Sequence, residues 1–281
     1  TRLRRALSMV LEPEVVETLS PMVRRITANN SGVFTGPGTN TYLVGDGNVT
    51  VIDPGPAMDT HAQAIADAPG TITQIIVTHT HLDHSPGAQL LQKKLGVPAY
   101  GLIAAYPQHQ DPTFKAAALL KDQQIIEGKD FRIRVIHTPG HASNHLCFLL
   151  EPGGMLFSGD HIMNGSTVVI RPPDGNMSAY IDSLRKLKGY PMTAIAPGHG
   201  AVLEDPYSAV DWIIQHRLER EKKILESLRT TGQGTSDSLV EAVYEDVDSS
   251  LFPIAKWSLE SHLIKLLEDG EISKTGNEYY S

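Results

Sequence analysis

An apolar run that ends in a cluster of histidines and an aspartate constrains this chain more than any other segment. Residues 75–77 read Ile-Ile-Val, which is typical of a buried strand, and the chain continues as His79-Thr-His81-Leu-Asp83-His84. The spacing of His79 and His81 puts both imidazoles on one face of an extended chain. Asp83 and His84 follow the turn, point elsewhere and can serve a second ion. Imidazole with carboxylate is the usual ligand set of zinc, so the segment predicts a metal site.

Three further apolar runs end in side chains of the same kind. The run Phe131–Ile136 leads to His141, Met155–Phe157 leads to Asp160, and Met192–Ala196 leads to His199. A glycine stands beside each of these three residues and allows the tight backbone exit that directs the side chain. Four strand ends that carry the same chemistry predict a single metal centre at one edge of the fold.

The order and spacing of these residues resemble the motif series of the metallo-β-lactamase superfamily, over about residues 24–200. The resemblance implies that one metal ion is held by His79, His81 and His141. It implies that a second ion is held by Asp83, His84 and His199, and that Asp160 bridges the two. Asp53, at the end of Val51-Ile52-Asp53, matches an aspartate that orients a ligand without binding metal itself.

The resemblance also implies the cofactor and the chemistry. Flavodiiron proteins carry an acidic residue at the position of His81, so histidine there favours two zinc ions and hydrolysis, with iron or manganese as alternatives. An iron-dependent sulfur oxygenase on the same fold is a minor alternative. Two zinc ions would supply hydroxide at neutral pH, and Asp83 could accept a hydrogen bond from that nucleophile. His145 either donates to the developing oxyanion or is a core histidine bonded to the backbone, and both interpretations stay open.

A narrower resemblance is to the β-lactamase-like protein 2 group. It rests on residues 34–45, on Pro172-Pro-Asp-Gly-Asn-Met177 and on Pro197-Gly-His-Gly200, together with the arrangement after His216. That group joins the lactamase-type domain to a small winged helix. Its animal members are single-strand endoribonucleases, whereas fungal relatives are thioesterases that act on polyketide chains.

The expected fold class is α+β, a four-layer αββα sandwich with a small C-terminal winged-helix domain. The predicted domains are residues 1–229 and residues 230–281. The predicted strands are Thr41–Val44, Val49–Ile52, Thr73–Thr78, Pro98–Gly101, Phe131–Ile136, Leu146–Leu150, Met155–Phe157 and Met192–Ala196. The predicted helices are Met58–Asp67, Gly87–Leu95, Phe114–Leu120 and Ser178–Leu187, then one from Asp205-Pro206 to about Leu228. After it the sequence predicts a helix capped by Ser236, a helix opened by Pro253 and a β-wing within Glu271–Tyr280, the order of a winged helix.

The composition of the chain bears on the compartment in which the protein is expected. The single cysteine, Cys147, lies in an apolar run and is expected to be buried and inert. No apolar run is long enough to span a membrane. Residues 1–5 are basic and residues 6–11 apolar, but they lack the apolar core and cleavage site of a signal peptide. Together these features favour a cytoplasmic protein.

The negative charge is concentrated at the C-terminus. Residues 230–281 hold three lysines and ten carboxylates, a net charge of −7 within a total of −8. Winged helices often bind DNA, but such a segment repels phosphate, so duplex DNA is not an expected partner. The tail is expected to pack against the larger domain or to form a wall of the substrate site, with Trp257 and the leucines in its core.

Three functions remain as hypotheses. The first is a hydrolase of an ester, thioester or related small acyl substrate, the second an endoribonuclease specific for single strands, and the third a regulatory protein that binds a partner through the winged helix. No groove rich in lysine and arginine is evident in the sequence, which weakens the endoribonuclease hypothesis.

The loop Asn164–Asn176 and the turn Gly36–Gly38 are candidate walls of the pocket. The oligomeric state is open, with a homodimer as one alternative. The remaining histidines are expected to have ordinary structural roles: His61, His109, His137, His161, His216 and His262.

Overall fold

The computed structural model describes residues 11–281. Residues 1–10, on which most of the expectation about a signal peptide rests, lie outside the described part. Two sheets form the centre of the molecule. The first has seven strands in the order β1 to β7, and the second has five in the order β12-β11-β10-β9-β8. Among residues 11–281 no helix has the length and apolar character needed to cross a bilayer.

The strands of the first sheet are β1 (Glu17–Ser20), β2 (Val23–Thr27), β3 (Asn40–Val44), β4 (Asn48–Ile52), β5 (Thr71–Ile76), β6 (Ala99–Gly101) and β7 (Ala118–Leu119). Those of the second are β8 (Ile125–Glu127), β9 (Arg132–His137), β10 (Leu146–Glu151), β11 (Met155–Gly159) and β12 (Ala194–Pro197). The helices are α1 (Asp59–Asp67), α2 (Gly87–Leu95), α3 (Met177–Leu187), α4 (Pro206–Thr231), α5 (Ser236–Val243) and α6 (Phe252–Glu268). A final hairpin joins β13 (Ser273–Thr275) and β14 (Glu278–Tyr280).

The alternation of side chains along the strands explains the layers. In β10, Phe148 packs between the two sheets, whereas Cys147 and Leu149 pack against α3 and α4. In β4, Ile52 faces the second sheet and Val51 faces α1 and α2. Both faces of each central strand are therefore buried, which is why these strands read as continuous apolar runs. The result is the expected four-layer αββα sandwich.

The winged helix has its own apolar cluster. It joins Ile224 and Leu228 of α4 to Leu239 of α5, Leu263 of α6 and Tyr279 of the hairpin. The expected order of helix, helix and wing is confirmed. Helix α4 begins where the sequence predicts, with the Asp205 carboxylate accepting from Ser208 N at 3.2 Å. It then runs without a break through the boundary proposed at residue 229, so the division into domains stays a prediction.

One predicted element is wrong. Phe114–Leu120 is not a helix, because its backbone amides donate to β6 instead of to its own carbonyls. Ala117 N donates to Ala99 O at 2.8 Å, and Leu120 N donates to Gly101 O at 3.1 Å. The open edge of β6 and the burial of Phe114 and Leu120 on the two faces of the sheet outweigh the helical propensity of the segment. Four strands were not predicted: β1, β2, β7 and β8.

Candidate metal centre

The predicted metal ligands meet at one rim of the two sheets. Asp53 follows β4, and His79 comes three residues after the end of β5. Asp160 directly follows β11, and His199 comes two residues after β12. His141 lies in the loop between β9 and β10. The carboxyl ends of these strands thus bring together residues that are more than a hundred positions apart in the chain.

Two glycines show how tightly the backbone passes through this rim. Gly159 has a φ of +48°, and a Cβ atom there would lie 2.6 Å from Thr78 Oγ1. A Cβ atom on Gly198 would lie 2.6 Å from Asp160 Oδ1. Only glycine fits at both positions, because any side chain would displace the neighbours of the candidate ligands.

The first group of candidate ligands consists of His79, His81, His141 and Asp160, and one ligand atom from each lies within 4.8 Å of all the others. His81 Nδ1 is 2.9 Å from His79 Nε2 and 3.0 Å from His141 Nε2. Asp160 Oδ2 is 3.6 Å from His141 Nε2. This arrangement of three imidazole nitrogens and one carboxylate oxygen suits a four-coordinate zinc ion.

The second group consists of Asp83, His84 and His199. Asp83 Oδ2 is 3.3 Å from His84 Nε2 and 3.2 Å from His199 Nε2. The other oxygen of Asp160, Oδ1, lies 3.3 Å from His84 Nε2 and 3.2 Å from His199 Nε2. The two carboxylate oxygens of Asp160 therefore face one group each, as a bridging ligand requires.

The donor atoms of this centre fit bound metal ions better than they fit one another. His84 Nε2, His199 Nε2 and Asp160 Oδ1 are fully buried, and within residues 11–281 they make no well-aligned hydrogen bond, although the carboxylate oxygen lies 3.3 Å from His84 Nε2 and 3.2 Å from His199 Nε2. Burying polar atoms without partners is costly, so three that converge on one point need an explanation. Two ions bound among the seven side chains would satisfy all three atoms.

Hydrogen bonds from neighbouring residues orient the imidazoles. Asp53 accepts from His84 Nδ1 at 3.0 Å, from Thr78 Oγ1 at 2.7 Å and from Thr78 N at 2.6 Å. His141 Nδ1 donates to Val169 O at 2.8 Å, and His199 Nδ1 donates to Gly38 O at 3.1 Å. In all three histidines the proton on Nδ1 is held by an acceptor, which leaves Nε2 free to bind metal.

Charge separates the two groups. Burial alone would lower the pKa of His84 and His199, but the carboxylates of Asp83 and Asp160 outweigh it. The pKa of His199 is raised to about 10, and that of His84 well above its usual value. Burial lowers the pKa of His81 to about 3 and lowers those of His79 and His141 as well. In the metal-free protein the second group therefore holds protons at neutral pH, whereas the imidazoles of the first group are neutral.

This difference predicts that the two metal-binding steps depend differently on pH. A ligating imidazole must give up its proton, so binding at His84 and His199 should release protons and tighten as pH rises from 6.5 towards 10. The same raised pKa also makes the stability of the metal-free fold depend on pH. The ion pairs of protonated His199 stabilise the metal-free fold fully below about pH 6.5 and are lost as pH rises towards 10. Calorimetric zinc titrations in buffers of different ionisation enthalpy would measure the release. Equal proton release in both steps would contradict the assignment.

Two further histidines lie beside the centre without belonging to either group. His145 is fully buried, its Nδ1 lies 3.0 Å from Thr138 Oγ1, and its Nε2 has no partner. It is not among the cavity-lining residues, so its role at an oxyanion stays a prediction. The ring of His161 lies 4.7 Å from that of Tyr180 and 5.5 Å from that of His145.

A cavity of about 840 Å³ opens onto the centre. His81, Asp83, His141 and Asp160 line one end. Residues 166–169 and 171–174 form one wall, as expected for that loop, and residues 33–35, just before the Gly36–Gly38 turn, form another. The winged helix supplies a third wall, consistent with its expected role beside the substrate site.

Several residues that line the cavity differ from what the sequence predicts. Trp257 was expected in the core of the winged helix, but it is only partly buried and lines the cavity. His109 and His216, which were expected to have ordinary roles, line it too, and so do Arg171 and Arg217. His109 lies in the segment between β6 and β7, and the others lie on α4, on α6 or in the loop after β11. The packing of these distant segments against one another leaves no signal in short-range sequence patterns.

Comparison with known proteins agrees with this geometry. The sequence profile of the family described as "Metallo-beta-lactamase superfamily" matches residues 34–199, and that of the "Beta-lactamase associated winged helix domain" matches residues 235–279. The chain is 31% identical to a beta-lactamase-like protein 2 homolog of Drosophila melanogaster, over 97% of both chains. It is 30% identical to an atrochrysone carboxyl ACP thioesterase of Aspergillus novofumigatus, over 92% of this chain and 82% of that protein.

Solved structures share the whole architecture. A beta-lactamase domain protein from Burkholderia ambifaria superposes with a TM-score of 0.83 at 16% identity, covering 98% of this chain and 95% of that one. A metallo-beta-lactamase family protein from Thermus thermophilus superposes with a TM-score of 0.77 at 19% identity, covering 94% of this chain and 99% of that one. At these identities the likeness shows the fold.

Proposed function

The chain belongs to the metallo-beta-lactamase superfamily of metal-dependent hydrolases, and we propose that it hydrolyses thioesters or closely related acyl esters with two zinc ions bound at the centre. The main observation behind the proposal is that a mostly apolar cavity of about 840 Å³ opens onto the set of seven candidate metal ligands. Such a cavity suits a small acyl group better than a folded polymer. The relative from Aspergillus novofumigatus that is named as a thioesterase supports the same substrate class.

The residues divide the work of the site. His79, His81 and His141 would hold one ion, Asp83, His84 and His199 the other, and Asp160 both. Bound there, the metals would act as Lewis acids and lower the pKa of water to near neutrality. Asp53 would keep His84 in the tautomer that binds through Nε2.

The cavity residues position the substrate. Asp83 lines the cavity next to the centre, so its carboxylate is placed to accept a hydrogen bond from the attacking water. Leu82, Met163 and Val168 contribute apolar side chains that limit the access of other water molecules. The water oxygen bonds to the carbonyl carbon, both of its protons pass to solvent, the C–S bond breaks, and the products are a carboxylate and a thiolate. Because an ordinary thiol has a pKa of about 8.5, this leaving group does not require a dedicated proton donor.

A panel of substrates tests the proposal. Purified protein should contain about two zinc ions per chain and should hydrolyse acyl thioesters at least about tenfold faster, in kcat/KM, than lactones, β-lactams or single-stranded RNA. The measurements are elemental analysis, a thiol-release assay and oligonucleotide cleavage on the same preparation. Iron or manganese in place of zinc would change the metal but not the reaction class. RNA cleavage without any acyl hydrolysis would replace the proposal with the endoribonuclease hypothesis, which the arginines that line the cavity also support.

A further inference from the structure

Helix α4, the loop after β11 and the winged helix together line one region of the cavity. Apolar side chains of the winged helix cover much of it, namely Tyr244, Val247, Leu251, Ile254 and Ala255. Arg171, Arg217 and Arg220 line the same region. Three guanidinium groups in a mostly apolar cavity raise the question of which negative charges compensate them.

Arg220 is compensated within the protein. Its Nη1 and Nη2 atoms bond to the two carboxylate oxygens of Asp246 at 2.6 and 2.7 Å. This two-bond pairing also explains why the pKa of Asp246 is lowered to about 2. Arg220 is therefore part of the wall and has no charge left for a ligand.

Arg217 differs from Arg220 although both are buried on α4. Only 2% of Arg217 is exposed, and no carboxylate oxygen of residues 11–281 lies within 4 Å of its guanidinium nitrogens. Its Nη2 donates to the carbonyl oxygen of Val168, and its Nε has no hydrogen-bond partner in the described part of the chain. A buried cation without an anion is costly unless a ligand supplies one.

Arg171 is a second cation without a carboxylate partner among the described residues. Its guanidinium carbon lies 4.1 Å from the centre of the Trp257 ring, so the indole supports it from one side. Ile170 N donates to Ser258 Oγ at 3.2 Å, which fixes the loop that carries Arg171 to helix α6. Both arginines are thus held in place by the protein while their charges stay uncompensated.

The other titratable groups of this region do not cancel that charge. Asp174 also lines the cavity and accepts from Ser143 Oγ at 2.5 Å and from Gln110 Nε2 at 3.1 Å, and its one negative charge offsets only one of the two positive charges of Arg171 and Arg217. Burial, together with Arg217 and Arg220, lowers the pKa of His216 to about 4, so this imidazole is neutral at pH 7. The net charge in this region of the cavity is therefore positive.

We propose that Arg171, Arg217 and Trp257 form an anion subsite that binds a carboxylate or phosphate group of the acyl substrate. The inference rests on the proposed hydrolysis of thioesters and narrows it to substrates that carry a negative charge besides the scissile acyl bond. Two sources share this chemistry: a carboxylate on the acyl chain, or the phosphate of a phosphopantetheine carrier. The apolar residues of the winged helix that line the cavity would contact the uncharged part of either substrate.

Four matched substrates separate the two sources. They combine a hexanoyl or an adipoyl chain with pantetheine or phosphopantetheine, so that each charge is present or absent by itself. At least one of the two charges should lower KM by about tenfold or more, since a charge-assisted hydrogen bond has an effect of this size. Arg171→Met should abolish that advantage, so that the KM values of the charged substrates rise to within about twofold of the KM of hexanoyl-pantetheine measured with the same variant.

Arg185→Met is the matched control, because Arg185 is exposed on α3, pairs with Asp182 at 3.1 Å and does not line the cavity. It should leave all four KM values unchanged.

Arg217→Met removes the second cation of the subsite. If that variant does not fold, Arg217→Lys replaces it, and because it keeps the charge it should retain part of the advantage of the charged substrates. Arg171 is only partly buried and has no ion pair among the described residues, so the main variant does not depend on the stability of the core.

Calorimetric binding of the four corresponding thioethers, which cannot be hydrolysed, separates this inference from the proposed function. If no thioester is turned over but a charged thioether binds about tenfold more tightly than the neutral one in an Arg171-dependent way, the subsite stands and the reaction class is wrong. Equal affinity for charged and neutral thioethers would overturn the subsite even if hydrolysis is found. Binding of a single-stranded oligoribonucleotide that depends on Arg171, without preference among the thioethers, would overturn it in favour of RNA.

Discussion

An Asp160→Ala variant is expected to lose hydrolysis by about a thousandfold or more in kcat/KM and to retain at most one metal ion. Asp160 is the single side chain whose two oxygens face both ligand groups, at 3.2 Å from His199 Nε2 and 3.6 Å from His141 Nε2. Its removal deprives both groups of a ligand and leaves His84 and His199 with one carboxylate neighbour fewer. Metal content by elemental analysis and steady-state kinetics on the same sample measure the two effects.

His161→Ala is the control for that variant. His161 is the next residue in the chain and is also buried, but its ring lies against those of Tyr180 and His145. It should lose stability because a buried ring is removed, and it should keep both metal ions. Equal metal loss in the two variants would show that the bridging assignment of Asp160 is wrong.

Asp53→Ala should weaken metal binding by about ten- to a hundredfold, although Asp53 is not a proposed ligand. The substitution leaves His84 Nδ1 and the amide of Thr78 without their acceptor, which lies at 3.0 and 2.6 Å from them. The imidazole can then rotate or change tautomer. The loss of these buried hydrogen bonds should also destabilise the fold by about 1–3 kcal/mol.

Competition with a chelator and thermal unfolding would measure the two consequences of Asp53→Ala. Asp46→Ala, at an exposed aspartate in the turn between β3 and β4, is the matched control and should change neither. If Asp53→Ala lowers the melting temperature but leaves metal affinity intact, Asp53 supports the strand ends without orienting His84.

The candidate ligands could be found in the sequence because each one follows an apolar run. A strand that must be buried on both faces becomes polar only where it leaves the sheet, so the chemistry is marked by a local change in pattern. The same reasoning failed at Phe114–Leu120, where the local pattern suits a helix but the open edge of β6 provides the hydrogen-bond partners. The helical propensity of a segment carries no information about a strand that lies beside it in the fold.

The arginines of the proposed anion subsite could not be predicted from the sequence, for a different reason. Nothing near Arg217 in the sequence distinguishes it from Arg220, which lies one helical turn later. Only the structure shows that Asp246 pairs with Arg220 and that no described carboxylate pairs with Arg217. The tail has a surplus of acidic residues, but its side chains that line the cavity are mostly apolar, and the arginines beside them come from α4 and the loop after β11. Net charge per segment therefore says little about the charge of a buried wall.

Helix α4 has a consequence for how a substrate is received. It is continuous over 26 residues, about 39 Å at about 1.5 Å per residue, and it carries Val210 in the core of the sandwich and Leu228 in the core of the winged helix. A helix without a break provides no hinge between these two cores, so the wall that α4 and the winged helix contribute is in place before any ligand arrives. The entropic cost of ordering this wall then falls on folding and not on substrate binding.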